Sequence, residues 1–170
     1  QAQAIAEALR NEPLEAIYSS PLKRALVTAQ HIAAPHGLEV VTDAGLMEVN
    51  QGDFEGLTVP ELRRHEAFLR EWFLHPAKLR MPNGESMEEA QSRAWAAVER
   101  IRGAHGHGVV VAVGHNLTNL TILCRALGLD LNHFRRIRQS VAAISTLEFG
   151  ERGCTLTSLN QEWHLRSLMS

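Results

Sequence analysis

The sequence predicts an α/β domain built around a mostly parallel sheet. Three observations carry that prediction. Strand-like and helix-like patterns alternate along the chain. No internal repeat, low-complexity tract or linker-like stretch interrupts the alternation. One run, residues 108–113, is apolar on both faces, as a central parallel strand is. At 170 residues the chain has the length of one ordinary domain, so residues 1–170 are expected to fold as one. A chain of about 150 residues buries roughly 68–70% of its unfolded surface, so neither a disulfide nor a metal is needed to hold a core.

The elements follow in order. Residues 1–9 are already in helical rhythm, with no capping residue ahead of them. Residues 14–18 read as a short buried strand. Ser19, Ser20 and Pro21 then supply cap candidates and a proline suited to a first helical turn. The helix that follows carries Leu22, Ala25, Leu26, Ala29, Ile32 and Ala33 on one face, and Gly37 can close it. Residues 38–41 are a second strand candidate, and a glycine-marked loop runs over 42–57. Thr58, Val59, Pro60 and Glu61 form a capping-box pattern that opens a helix bearing Leu62, Phe68, Leu69 and Trp72. Ser86, Met87, Glu88 and Glu89 form another, opening a helix through Ala90, Ala94, Ala97, Val98 and Ile101 that closes near Gly103. After the strand at 108–113, Gly114, His115 and Asn116 turn the chain into a helix through Leu117, Leu120, Ile122, Leu123, Ala126 and Leu127. Residues 141–149 and 154–159, around Gly150, Glu151, Arg152 and Gly153, read as a hairpin.

Composition excludes several classes of function. Apolar residues make up 45% and charged residues 21%, as in a soluble globular protein. Seventeen Lys and Arg against nineteen Asp and Glu give a net charge of −2, so the chain has no general attraction for nucleic acid or anionic membrane. Any anion must be held by a local cluster. The longest apolar runs are far too short to cross a bilayer, and no signal peptide opens the chain. Two cysteines, Cys124 and Cys154, are too few for a disulfide framework, and a cytoplasmic setting is the expectation.

Ligands in open α/β sheets collect beyond the carboxyl ends of the strands, and two such junctions carry reactive side chains. At Ser19-Ser20-Pro21-Leu22-Lys23-Arg24, unpaired N–H groups of a first helical turn favour an anion, and Arg24 adds a two-pronged donor. Alone, this is also what an ordinary capped helix with a solvated arginine looks like. At Val113-Gly114-His115-Asn116, His115 points from the sheet into the same crevice, able to donate to an anion when protonated or to move a proton. Alone, a loop histidine is more often structural. Glu48, in a loop marked by Gly52 and Gly56, is the available carboxylate, and a bound anion beside it favours its acid form. His105 and His107 lack a third and fourth metal ligand and read as a loop. Arg64-His65 reads as helix surface and Cys124 as a buried, inert thiol. No serine-hydrolase elbow, Walker loop or dinucleotide fingerprint occurs.

Taken together, the motifs resemble those of the histidine phosphatase superfamily, which includes the cofactor-dependent phosphoglycerate mutases. Ser19-Ser20-Pro21-Leu22-Lys23-Arg24-Ala25 with Thr28-Ala29 is similar to its second signature. The loop with Leu46, Glu48, Gly52, Phe54, Glu55 and Gly56 resembles its acid-bearing loop. Pro82-Asn83-Gly84-Glu85-Ser86 resembles the loop before its next helix, and Val113-Gly114-His115-Asn116 its second-histidine strand end. Order and spacing agree over nearly the whole chain. The resemblance implies a three-layer α/β/α fold with helices on both faces of the sheet, and phosphoryl transfer through a phosphohistidine without metal or other cofactor. It implies Arg24 as a phosphate clamp, Glu48 as proton donor and acceptor, His115 as the second pocket histidine, and the main-chain N–H of Asn116 as a further phosphate contact. The expected partner is a small phosphorylated substrate, with no nucleic acid and no membrane. The nucleophile of the family is the histidine of an Arg-His-Gly motif ending a first strand, and no Arg-His-Gly occurs in these residues. The expectation is an N-terminally truncated chain, inactive as given, whose complete form hydrolyses phosphomonoesters. Hydrolase is favoured over mutase because Val49-Asn50-Gln51 follows Glu48 where mutases carry Arg-His-Tyr, and because the stretch between Gly56 and Gly84 is short. A non-catalytic phosphate-binding or interaction domain is the alternative from another class.

Overall fold

The computed structural model describes residues 1–151 and 153–168. α1 (Ala2–Ala8) leads to β1 (Leu14–Ser19), α2 (Lys23–Ala33) and β2 (Val40–Thr42). α3 (Val59–Leu62), α4 (Glu66–Leu74) and α5 (Met87–Ala104) follow. β3 (Val109–Val113), α6 (Asn116–Leu127) and the hairpin strands β4 (Ile144–Gly150) and β5 (Gly153–Gln161) come next, and a short 3-10 helix (Trp163–Leu168) follows them. The hairpin turn at Arg152 lies outside the described residues.

β2, β1 and β3 form a parallel sheet in that order, with Ile17 opposite both Val40 and Val111. Alternation along each strand decides which layer a side chain enters. Ile17, Val111 and Val113 join Ile5 and Ala6 of α1 and Ala29, Ile32 and Ala33 of α2 in one cluster. Tyr18 and Val110 join Ala94, Ala97 and Ile101 of α5 and Ile122 of α6 in another. Helices therefore cover both faces of the sheet, and the fold is three-layered α/β. A third cluster packs Met87 and Ala90 of α5 against Leu120, Leu123 and the fully buried Cys124 of α6.

Local signals translate directly into element ends. Ser86 and Glu89 cap α5 reciprocally: the Glu89 N–H donates to Ser86 Oγ at 3.2 Å and the Ser86 N–H donates to Glu89 Oε2 at 2.8 Å. Gly128, at φ +63°, closes α6, and the Leu129 N–H donates back to the Cys124 carbonyl at 2.8 Å.

Two expectations are corrected. The helix predicted from Thr58 onward is broken by a tight turn at Arg63–His65. The break lets both the His65 ring (5.0 Å) and the Phe68 ring (5.3 Å) lie against Phe54 of the preceding loop. The apolar run at 108–113 predicts a central strand, yet among the described residues β3 pairs with β1 alone, and Val109 is 43% exposed. β4 and β5 form a separate antiparallel ladder, although Ile144 of β4 packs into the same cluster as Val111 and Val113. Among the described residues no helix is long and apolar enough to cross a membrane.

Candidate active site

Parallel pairing of β1 with β3 sets Ser19 opposite Val113, so both strands end at the same edge of the sheet. The ladder runs one residue further, with the Ser20 N–H donating to the Val113 carbonyl at 2.9 Å. That puts Ser20 beside His115, the residue before α6. Arg24 stands in the first turn of α2, which begins after Pro21 rather than at it. The Ser20 hydroxyl oxygen steadies this entry by accepting from the Leu22 N–H at 3.2 Å.

Arg24 and His115 meet directly. Arg24 Nε donates to His115 Nδ1 at 3.1 Å, and His115 Nε2 lies 2.8 Å from Ser20 Oγ. An imidazole that accepts at Nδ1 is neutral and carries its proton on Nε2, so the ring donates to Ser20. Burial pushes the His115 pKa below its ordinary value, the charges of Arg24 and Arg93 add to the effect, and the Glu48 carboxylate opposes it. Arg24 itself is exposed, and among the described residues its side chain makes no other hydrogen bond. Most of its guanidinium donors therefore remain free beside the buried ring.

Glu48 arrives from the loop after β2. Leu46, 1% exposed, anchors one side of it against α5, and Val49, 3% exposed, anchors the other against α6. Between these anchors the carboxylate reaches the start of α6. Oε1 accepts from the Val49 N–H at 2.9 Å and from the Thr118 N–H at 3.1 Å, Oε2 accepts from the Leu117 N–H at 3.3 Å, and the Thr118 hydroxyl donates to the Met47 carbonyl at 2.6 Å. First-turn N–H groups and the positive end of the helix favour a negative group there. Asn116 opens the same helix and is exposed. Arg24, His115, Glu48 and Asn116 are thus gathered around the ends of β1 and β3.

The other candidates stay apart. His105 Nε2 is 3.0 Å from the Tyr18 hydroxyl and Nδ1 is 3.6 Å from Glu15, an internal pairing. Among the described residues no group of three or more His, Cys, Asp or Glu could hold a metal ion. His65 is on the exposed turn between α3 and α4.

Arg93 of α5 escapes the sequence reading. It donates to carbonyls on both sides of Glu48. The available signal was an arginine on the apolar stripe of α5, three residues after Ala90 and four before Ala97. Thr118, fully buried, escapes it too, since a threonine inside a helix is unremarkable in sequence.

A family model of the histidine phosphatase superfamily (branch 1) matches residues 1–162. The chain belongs to the histidine phosphatase superfamily. Phosphoserine phosphatase 1 of Hydrogenobacter thermophilus is 33% identical over 97% of this chain and 79% of its own length. A Yersinia pestis protein named as a phosphoglycerate mutase, GpmB, is 32% identical over 89% of this chain and 71% of its own. The solved structure of Bacillus stearothermophilus YhfR superimposes with a TM-score of 0.90 at 25% identity, covering 97% of this chain and 83% of that one. Superfamily relatives thus carry both phosphatase and mutase names.

Proposed function

We propose that residues 1–170 form one domain of a phosphomonoester hydrolase acting on small phosphorylated molecules through a phosphohistidine. In this reading Arg24, His115 and the main-chain N–H of Asn116 hold the phosphate, and Glu48 serves as the proton donor. The phosphorus–oxygen bond to the alcohol breaks as a phosphorus–nitrogen bond to the nucleophilic histidine forms, and Glu48 gives its proton to the departing oxygen. Water then cleaves the phosphohistidine, with Glu48 taking a proton back. The nucleophile belongs to a strand ending in Arg-His-Gly that these residues do not contain. No metal takes part in this reading, because Arg24 and helix N–H groups can neutralise the transferring group while the neutral His115 ring adds a hydrogen bond. A cytoplasmic setting fits two free thiols.

The observation that carries the reading is the contact of Arg24 with His115 at the common end of β1 and β3, with Glu48 held at the start of the same α6. The edge of β3 left unpaired among the described residues supports the reading of a further strand, since β3 is apolar on both faces and still half-exposed. The likeness to the Yersinia protein favours a mutase as the second reading. Against it stand the residues after Glu48 and the short stretch before Gly84, which leave few groups for a second phosphate.

The test compares this chain with the same chain joined to a strand ending in Arg-His-Gly, using alkyl and nitrophenyl phosphates. Turnover only in the joined protein, unchanged by a chelator, is expected, because loss of a covalent route removes orders of magnitude of rate. Comparable turnover by both proteins overturns the missing-nucleophile reading, and none in either favours a binding domain. Phosphate passed to phosphoglycerate rather than to water marks a mutase.

A further inference from the structure

We propose that Arg93 is a positioning residue for Glu48, a five-bond clamp on the acid loop that fixes where the carboxylate meets α6. A guanidinium has five N–H donors and no acceptor, and all of them are used here. Nη1 donates to the Gly45 carbonyl at 2.8 Å and the Met47 carbonyl at 2.9 Å. Nη2 donates to the Glu48 carbonyl at 3.0 Å and to Glu85 Oε1 at 2.6 Å, and Nε donates to Glu85 Oε2 at 3.0 Å.

An ordinary surface ion pair would leave several of these donors to water and contribute little. This one is different in two respects. Both partners are largely covered, the side chains of Arg93 and Glu85 being 28% and 15% exposed. The other acceptors are main-chain carbonyls, that of Gly45 in the short 3-10 turn Ala44–Leu46 and those of Met47 and Glu48 just beyond it, and they need a partner once they turn inward. Gly45 makes the approach possible, because a Cβ there would stand 2.7 Å from that of Ala97 and 2.9 Å from the Arg93 carbonyl.

Glu85 extends the clamp past Glu48. Its Oε1 accepts from the Asn50 N–H at 2.8 Å, and its own N–H donates to the Asn50 carbonyl at 2.9 Å. The loop is therefore pinned at residues 45, 47, 48 and 50, and the side chain of Glu48 is directed by pinned backbone on both sides. Lysine, a point charge with three donors, cannot reproduce the fork. Charge alone is thus separable from geometry.

The proposal rests on Glu48 as the proton donor, but its test needs no turnover, so the two can fail separately. Amide hydrogen exchange and side-chain NMR are measured on this chain and on its R93K and E85Q variants. In R93K the Leu117 and Thr118 amides should exchange roughly tenfold faster or more, the factor that accompanies loss of a charge-assisted hydrogen bond. The Glu48 carboxyl carbon resonance should move as well. Amides 120–124 and the Arg24 and His115 side-chain signals should not change. E85Q, which keeps one oxygen acceptor, should show the same pattern at smaller amplitude. Unchanged Leu117 and Thr118 exchange in either folded variant overturns the proposal. So does uniform acceleration through α5 and α6, or loss of the fold in both variants, since Arg93 would then hold the fold and not the acid.

Discussion

In the proposed reaction Glu48 gives up a proton while His115 is kept from gaining one, and each can be tested singly. An alkyl phosphate expels a strongly basic alkoxide, whereas a nitrophenyl phosphate expels a weak base that departs without a proton. A positioned acid contributes about 10²–10⁴-fold where it is needed. In a protein made by joining these residues to a strand ending in Arg-His-Gly, Glu48→Gln should therefore slow phosphorylation by alkyl esters far more than by nitrophenyl esters in single-turnover assays. Equal losses would remove Glu48 as the acid. His115 is held neutral by burial, so its pKa in the fold lies below the value of about 6.5 in the unfolded chain. As pH falls through about 6.5 the unfolded state binds the proton first, so this part of the stability is present above that pH and is lost below it. The urea midpoint should fall on acidification from about pH 7.5 to about pH 5, with a shallower fall in His115→Gln. Matching slopes in the two proteins would mean that the ring does not contribute.

α5 connects the capping signal of Ser86 to the site, because Arg93 stands two turns further along the same helix. Replacing Ser86, which is 6% exposed, with alanine removes the acceptor for the Glu89 N–H. The cost should be about 1 kcal/mol. Urea unfolding should show a lower midpoint at constant slope, and an unchanged midpoint would place the end of α5 under the control of packing instead. Both capping boxes were legible in the sequence because each is contained in four consecutive residues. The turn that separates α3 from α4 was not, since it answers to the Phe54 ring in a distant loop. The clamp of Arg93 was illegible for a related reason: its acceptors on the acid loop are carbonyls 45 to 48 residues away, and carbonyls leave no mark in a sequence. Arg24, Glu48 and His115 could be picked out because their side chains follow recognisable strand ends and loops.

At the scale of the whole molecule, the alternation of elements predicted an α/β domain with a mostly parallel sheet and the family resemblance implied its three layers, but strand order was not contained in the alternation. A strand that is apolar on both faces says that something covers it and does not say what pairs with it. Among the described residues β3 consequently has a strand neighbour on one edge and none on the other. Amides of β3 that point away from β1 should exchange rapidly, while β1, flanked on both sides, should be protected. Joining a strand that ends in Arg-His-Gly should bring the β3 amides to the protection seen in β1. Equal protection of the two strands in the chain alone would show that the β3 edge is already covered.

Cys124 gives that opening a chemical clock. Its sulfur is fully buried between α5 and α6, and burial pushes the thiol pKa up to about 11, so at neutral pH the group is both out of reach and protonated. An alkylating reagent can take it only from molecules in which the helix layer has come apart. Cys154, half-buried on the hairpin, needs no more than a local fraying of β5. One reagent thus reads two depths of the same fold, the hairpin on the fast scale and the helix layer on the slow one.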